Sequence, residues 1–409
     1  MEILYPRCAG LDVHKETVSA CVLTPGPEAE PVKQIQQFGT TTGELRRLRD
    51  WLAANGVTHA AMESTGVYWK PVFNILEGGC TLILVNARHI KQVPGRKTDK
   101  ADCAWIASLL RHGLLEASFV PEPDVRELRD LCRMRTTLVR ECVRVGNRLR
   151  KVLEDANIKL DSVASDTLGV SGRCMIRAVI EGRTDPVELA ELARGRLRAK
   201  RPELERALEG RITPHHRFLL QELMRQLDFL EQQVGRFEEQ INQTMLPFEW
   251  AAGLLTTMPG VDRTAACALI AEIGVDMSRF ASARHLASWA GLCPGNNESA
   301  GKRRSGKSHR GNRWIKGVMT EIAWAATHTK NTYSATQYRK LAGHRGKKRA
   351  LVAVANSLLQ AVWHMLTNRE AYRDLGPDYL PRLNQKHLEH FLVRRLEALG
   401  HKVILQPVA

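Results

Sequence analysis

No stretch of about 18 consecutive apolar residues occurs in this sequence, which speaks against a membrane-spanning helix. The opening residues, Met1-Glu2-Ile3-Leu4-Tyr5-Pro6, lack the basic stretch and long apolar run of a secretion signal. Cysteine occurs nine times, at positions 8, 21, 80, 103, 132, 142, 174, 267 and 293, but no two are spaced C-x-x-C and the number is odd. The expectation is a set of reduced, mostly buried thiols rather than a disulfide frame or zinc site, in a cytoplasmic protein. Acids are nearly missing from one segment: residues 300–350 hold 14 Lys or Arg and one acid, Glu321, a local balance of +13 within a total of +16. A solvated face normally interleaves both signs of charge. Here the interleaved residues are Gly, Ser, Asn and His, so this run, with a pI of 9.7, points to phosphate groups on a polyanionic partner.

What is present includes four acids in awkward places. Asp12 interrupts the strand-like run Cys8 to Val13, and Glu63 ends another, Val57 to Met62. A carboxylate beside a core strand pays heavily for desolvation unless something holds it. Asp99 and Asp102 are three apart at the start of an apolar-periodic segment reaching Leu110, so on a helix they share one face. Each acid has a plain reading: a turn residue for Asp12, a solvated strand end for Glu63, a helix cap or first-turn acid for Asp99. Their order, strand acid, strand acid, helix pair, instead favours holding divalent metal beside a phosphate.

At 409 residues the chain has room for two or three domains. Residues 8–13 and 17–23 read as paired strands, and Val32 to Phe38 as a third. Helix 44–54, strand 57–62, helix 68–76 and strand 81–85 follow. That order predicts an α/β domain, a mixed sheet with flanking helices, over residues 1–125. Residues 126–247 read as a helical, charged region. Within it Leu220, Leu223, Leu227, Leu230, Val234, Phe237 and Ile241 alternate by three and four, a seam that suits a coiled coil ahead of an ordinary bundle helix. In residues 248–345 the turn Met258-Pro259-Gly260-Val261 before a helix at 262–273 suggests a helix-hairpin-helix offering backbone N–H groups to phosphate, with Gly260 as a contact. Pro-Gly also makes plain turns. Residues 346–409 read as a helical tail.

Four segments together resemble a known family: Gly10-Leu11-Asp12-Val13-His14-Lys15, Met62-Glu63-Ser64-Thr65-Gly66, Lys97-Thr98-Asp99-Lys100-Ala101-Asp102, and Gly291-Leu292-Cys293-Pro294 through Ser299-Ala300-Gly301-Lys302 to Gly311-Asn312. In order and combination they are similar to the RNA-guided DEDD transposases of bacterial insertion sequences, also called bridge-RNA recombinases. The resemblance spans roughly residues 8–320. It implies a RuvC-like domain of RNase H type, a helical coiled-coil insertion and a mainly helical C-terminal transposase domain. By the same resemblance Asp12, Glu63, Asp99 and Asp102 form a tetrad for Mg²⁺ or Mn²⁺, and Ser299 is the nucleophile. The implied partners are donor and target DNA, a structured guide (bridge) RNA and further copies of the chain, as a dimer or tetramer that combines one subunit's acids with another's serine. No membrane partner is expected, and association with the nucleoid is expected when the protein is bound to DNA.

Chemically, metal ions would neutralise charge on a phosphodiester under attack, and a serine would hold a covalent DNA link that keeps the bond for rejoining. Lys302, Arg303, Arg304, Lys307, Arg310, Arg313 and Lys316 would hold phosphates. His309 reads as a further phosphate contact, and no residue stands out as a base for Ser299. Trp289 and Trp314 could stack on bases, whereas Trp324 reads as a core residue. The alternative is a junction-resolvase-like nuclease using the same acids with water as nucleophile.

Overall fold

The computed structural model describes residues 2–27, 30–64, 66–86, 102–295, 297–299, 302–306, 308 and 310–405. Asp99, Lys307 and His309 lie outside these. The chain divides into two units, Met1–Val120 and Pro121–Ala409.

The first unit is built on five strands: β1 (Cys8–Val13), β2 (Thr17–Pro25), β3 (Pro31–Gly39), β4 (His59–Glu63) and β5 (Thr81–Val85). Their order is β3-β2-β1-β4-β5. The first three form an antiparallel meander, and β4 and β5 join in parallel. The short polar link His14-Lys15-Glu16 permits a hairpin between β1 and β2, while β1 to β4 needs the crossover helix α1 (Thr42–Ala54). This is the mixed α/β sheet that the alternating pattern predicts.

Strand periodicity sorts β1 into two faces. Ala9, Leu11 and Val13 pack with Leu45, Leu48 and Leu52 of α1 and with Val72 and Leu76 of α2 (Trp69–Leu76). Cys8 joins Ala61 and Val85 on the opposite face, under Cys103, Ile106, Ala107 and Leu110 of α3 (Asp102–Arg111). The sheet is thus covered on both sides. Gly10 lets α3 settle: a Cβ there would lie 2.1 Å from the Cys103 carbonyl oxygen and 2.4 Å from the Ala107 nitrogen. Both obstacles are backbone, so Gly10→Ala must push the helix off the sheet. A loss of about 1–3 kcal/mol is expected on overpacking grounds, and chemical denaturation of the purified protein checks it.

The second unit is helical. Its longest element, α4 (Pro123–Asp155), is followed by four short helices, α5 (Leu160–Val163), α6 (Val170–Ile180), α7 (Pro186–Glu191) and α8 (Arg201–Leu208). Then α9 (Pro214–Thr244) starts at a capping box between Thr213 and His216 with Pro214 in the first turn. The predicted seam holds in part: Leu220, Leu227 and Leu230, with Met224 buried beside the half-buried Leu223, pack with Val145, Leu149 and Leu153 of α4 and with Ile176 and Val179 of α6, whereas Val234 and Phe237 are only half-buried.

Helices α10 (Glu249–Leu255) and α11 (Arg263–Ile273) flank the Pro-Gly turn. Gly260 is packed there against a later helix, since a Cβ would lie 2.5 Å from the Ile322 carbonyl oxygen. The Asp262 carboxylate already accepts from the Ala265 N–H at 2.7 Å. The α11 N terminus, expected to receive phosphate, therefore carries its own anion.

After α12 (Ala283–Trp289) come a β6 (Asn297–Ser299) and β7 (Lys302–Ser305) hairpin, α13 (Arg313–His328), α14 (Tyr333–Arg345), α15 (Lys347–Asn368) and α16 (Tyr379–Ala398). By length and composition alone α15 could cross a membrane. Its apolar residues are instead spent on packing: Val354, Leu358, Leu359, Val362 and Leu366 are buried, and the helix lies against α12, α13 and α14.

Candidate active site: acidic strand ends and a serine hairpin

Asp12 and Glu63 are placed by register. Leu11 pairs with Met62 across the parallel β1–β4 ladder, so the two acids follow one residue later on neighbouring strands, whose backbones run about 4.8 Å apart. Both fall on the α3 face, because Leu11 and Met62 on either side of them belong to the α1–α2 core. That face is where α3 begins, with Asp102 as its first residue. A helix N terminus favours a carboxylate. Asp12 is also felt by Cys103, whose thiol is pushed up first by burial and further by the Asp12 charge. Asp12 and Glu63 thus stand side by side at the carboxyl ends of parallel strands, the usual location of ligand sites in open α/β sheets, on the sheet face covered by the helix that Asp102 opens.

Asp12 is only 21% exposed and receives the His14 Nε2 at 3.1 Å. All three carboxylates are hard oxygen donors of the kind Mg²⁺ and Mn²⁺ prefer. As the side chains lie, no three ligating groups among the described residues are close enough to grip an ion. The donor chemistry fits such a metal, and the closed set of ligands is not assembled.

In the second unit, Ser299 ends β6 opposite Lys302, closing the hairpin. The segment that carries it is tied at its neck. Gly311, at φ +44°, has room for no Cβ: one would lie 2.4 Å from the Gly291 nitrogen. Lys316 donates to the Gly291 carbonyl at 3.1 Å and to the Ser308 hydroxyl at 3.0 Å. Two of its three ammonium donors thus hold the loop, a different use from the phosphate contact expected of it. Lys302, Arg310 and Arg313 are exposed.

Beneath the neck is a group that the motifs do not reveal. The buried Glu272, at the end of α11, accepts two bonds from Arg133 of α4, at 2.7 and 2.8 Å. The Asn312 amide donates at 2.6 Å to Oε2, one of the two oxygens that Arg133 also holds, while the Asn312 oxygen caps α13 through the Trp314 N–H at 2.8 Å. Arg129 donates to the Ala271 and Glu272 carbonyls, and its burial pulls its pKa down to about 10. One carboxylate therefore joins α4, α11 and the start of α13. The signal for it in sequence was slight: an acid in the last turn of an otherwise apolar helix, Ala271-Glu272-Ile273.

The tryptophans divide differently from expectation. Trp314 lies among the guanidinium groups of Arg133, Arg140 and Arg313, 5.5, 5.3 and 5.0 Å from its ring centre. Trp289 packs on Phe280 at 5.4 Å. Trp324 is 52% exposed and not in the core. The buried stripe of α13 runs through Ile315, Met319, Ile322, Ala323 and Ala326. Two residues beyond Ile322 is a rotation of about 200°, which turns Trp324 outward. All nine thiols are free, as read, but they are not mostly buried: Cys8, Cys21, Cys103 and Cys267 are buried and the other five are half-buried. Burial pushes Cys21 and Cys132 up to about 12, far from a reactive thiolate.

Comparison with known proteins finds matches over two separate spans of the chain. A family model described as "Transposase", of the DEDD IS110 type, matches residues 9–158, and one described as "Transposase IS116/IS110/IS902 family" matches residues 252–339. The chain is 27% identical over 397 residues to the uncharacterized 43.6 kDa protein of insertion element IS110 from Streptomyces coelicolor, covering 90% of this chain and 96% of that protein. It is 23% identical over 376 residues to the transposase for insertion sequence element IS1111A of Coxiella burnetii, covering 90% and 91%. With the acid-bearing sheet inside one matched span and the Gly260 turn and serine hairpin inside the other, the chain belongs to the IS110 family of insertion-sequence transposases, enzymes that cut and rejoin DNA.

Proposed function

We propose that this transposase breaks and rejoins DNA through Ser299, assisted by a divalent metal at Asp12, Glu63, Asp99 and Asp102 and directed to its sites by a guide RNA. The observation that carries the reading is the β1–β4 register, which sets Asp12 and Glu63 side by side on the sheet face where α3 starts at Asp102. Mg²⁺ or Mn²⁺, when bound, would supply stabilisation for charge building on the phosphate oxygens. The Ser299 hydroxyl forms a bond to phosphorus as the bond to the leaving sugar oxygen breaks, and a hydroxyl of a second strand later displaces the serine. No outside energy is needed, because the phosphoester is conserved. Exposed Lys302, Arg310 and Arg313 hold the backbone against its charge repulsion. Guide RNA pairing would leave the protein to read backbone and shape more than bases. Subunits working as a dimer or tetramer complete the assembly.

The test is a denaturing gel for a DNA–protein adduct, run with Mg²⁺, DNA and co-purified RNA. Asp12→Asn keeps the size of the side chain and removes one charge from the acidic face. It is expected to lower adduct yield at least about a hundredfold, in line with loss of a metal-supported group. Wild-type yield from Asp12→Asn ends the tetrad assignment, and cleavage without any adduct in the wild-type protein points to water as nucleophile.

A further inference from the structure

Between the serine-bearing segment and the junction of α14 with α15 lies a cleft of about 870 Å³. This is inside the roughly 300–1,000 Å³ range of sites that take a small organic ligand. One part of its lining is apolar, with Leu292 and Pro294 from the loop neck and Leu341 and Val352 from the two helices. Arg345, Lys348 and Arg349 line the same cleft. All three are exposed, and none forms an ion pair among the described residues. No Asp or Glu occurs in the chain between Glu321 and Glu370, so nothing nearby in sequence neutralises them.

The two halves of the lining ask for different things. The guanidinium groups suit phosphate, which Arg takes bidentately. The apolar floor suits a flat ring removed from water. An intact duplex offers phosphates while its bases stay stacked inside. A strand with an unpaired nucleotide offers both, at little unstacking cost. Resting on the reading of this chain as a DNA-cutting enzyme, we propose that the cleft receives one unstacked nucleotide of a DNA strand, with its base against Leu341 and Val352 and its phosphates on Arg345, Lys348 and Arg349. Ser308 lines the cleft as well, held there by Lys316, so the nucleotide would be gripped next to the segment that carries Ser299.

The experiment measures binding of the full-length protein, by fluorescence anisotropy, to a single-stranded DNA, the blunt duplex of the same sequence and the matching single-stranded RNA. Ala353→Phe fills the cleft without changing charge. It should weaken single-strand binding about tenfold and duplex binding by less than about twofold, with 2-aminopurine in the strand losing its unstacked signal. Arg345→Ala combined with Arg349→Ala alters only exposed positions, so its folding is secure. It should lower the slope of log affinity against log salt for single strands by about 1.4. Single-strand binding unchanged in Ala353→Phe, or an unchanged salt slope in the arginine pair, overturns the proposal. So does a cleft-dependent preference for the RNA strand. Wild-type adduct formation is read in parallel: if the adduct forms while the cleft variants bind as wild type, only the cleft assignment falls. If the wild type binds no DNA and forms no adduct, the underlying reading falls first.

Discussion

Ser299→Ala is expected to leave no detectable DNA–protein adduct, a loss of more than about 10⁴-fold on the scale seen when an enzyme nucleophile is removed. The alanine keeps the backbone pairing with Lys302 that closes the hairpin. Thermal unfolding and duplex affinity should therefore stay near wild type, which separates a chemical role from a structural one. Ser305 and Ser308 provide internal controls. Both belong to the same segment, yet Ser308 is occupied by Lys316 at 3.0 Å. An adduct that persists in Ser299→Ala and disappears only when another serine is replaced would move the nucleophile to that position.

The largest expected loss of stability is at Glu272→Ala. The carboxylate is 4% exposed and balances Arg133, 30% exposed, and Arg129, 14% exposed. Removing one partner of a buried pair leaves charge without compensation, at about 3–5 kcal/mol. In a unit of this size that corresponds to a fall in melting temperature of roughly 10 °C. Asn312 would also lose the acceptor for its amide, loosening the cap of α13 and with it the neck of the serine segment. Glu272→Gln retains acceptor oxygen for Arg133 and Asn312 and should lose less. A melting temperature within 1 °C of wild type for Glu272→Ala would show that the ion pair is not holding these helices.

The difference between what was legible and what was not follows from the range of each interaction. Strands β1 to β3 could be read because alternation and a short polar link are local, and register then fixes which face Asp12 and Glu63 share. The apolar stripe on α9 was visible as a repeat, but its partner, α4, could not be read from the stripe itself. Trp324 was misjudged because its neighbours Ile322 and Ala323 are buried, and adjacency along a helix is not adjacency on its surface. Glu272 and Arg133 stand 139 positions apart, so neither residue's surroundings in sequence mark the other. The cations Arg345, Lys348 and Arg349 were visible only as part of a total. Their meaning depends on the apolar wall they face, which belongs to other segments.

Because Gly291 and Gly311 touch backbone to backbone, the excursion between them begins and ends at a single point on the helical scaffold. Its length is consequently decoupled from the helices on either side. Each doubling of such a loop costs only about 0.6 kcal/mol of closure entropy, so relatives can differ in how far this finger extends while keeping the same base. Evolution can tune the reach of the segment that carries Ser299 without redesigning the body that supports it.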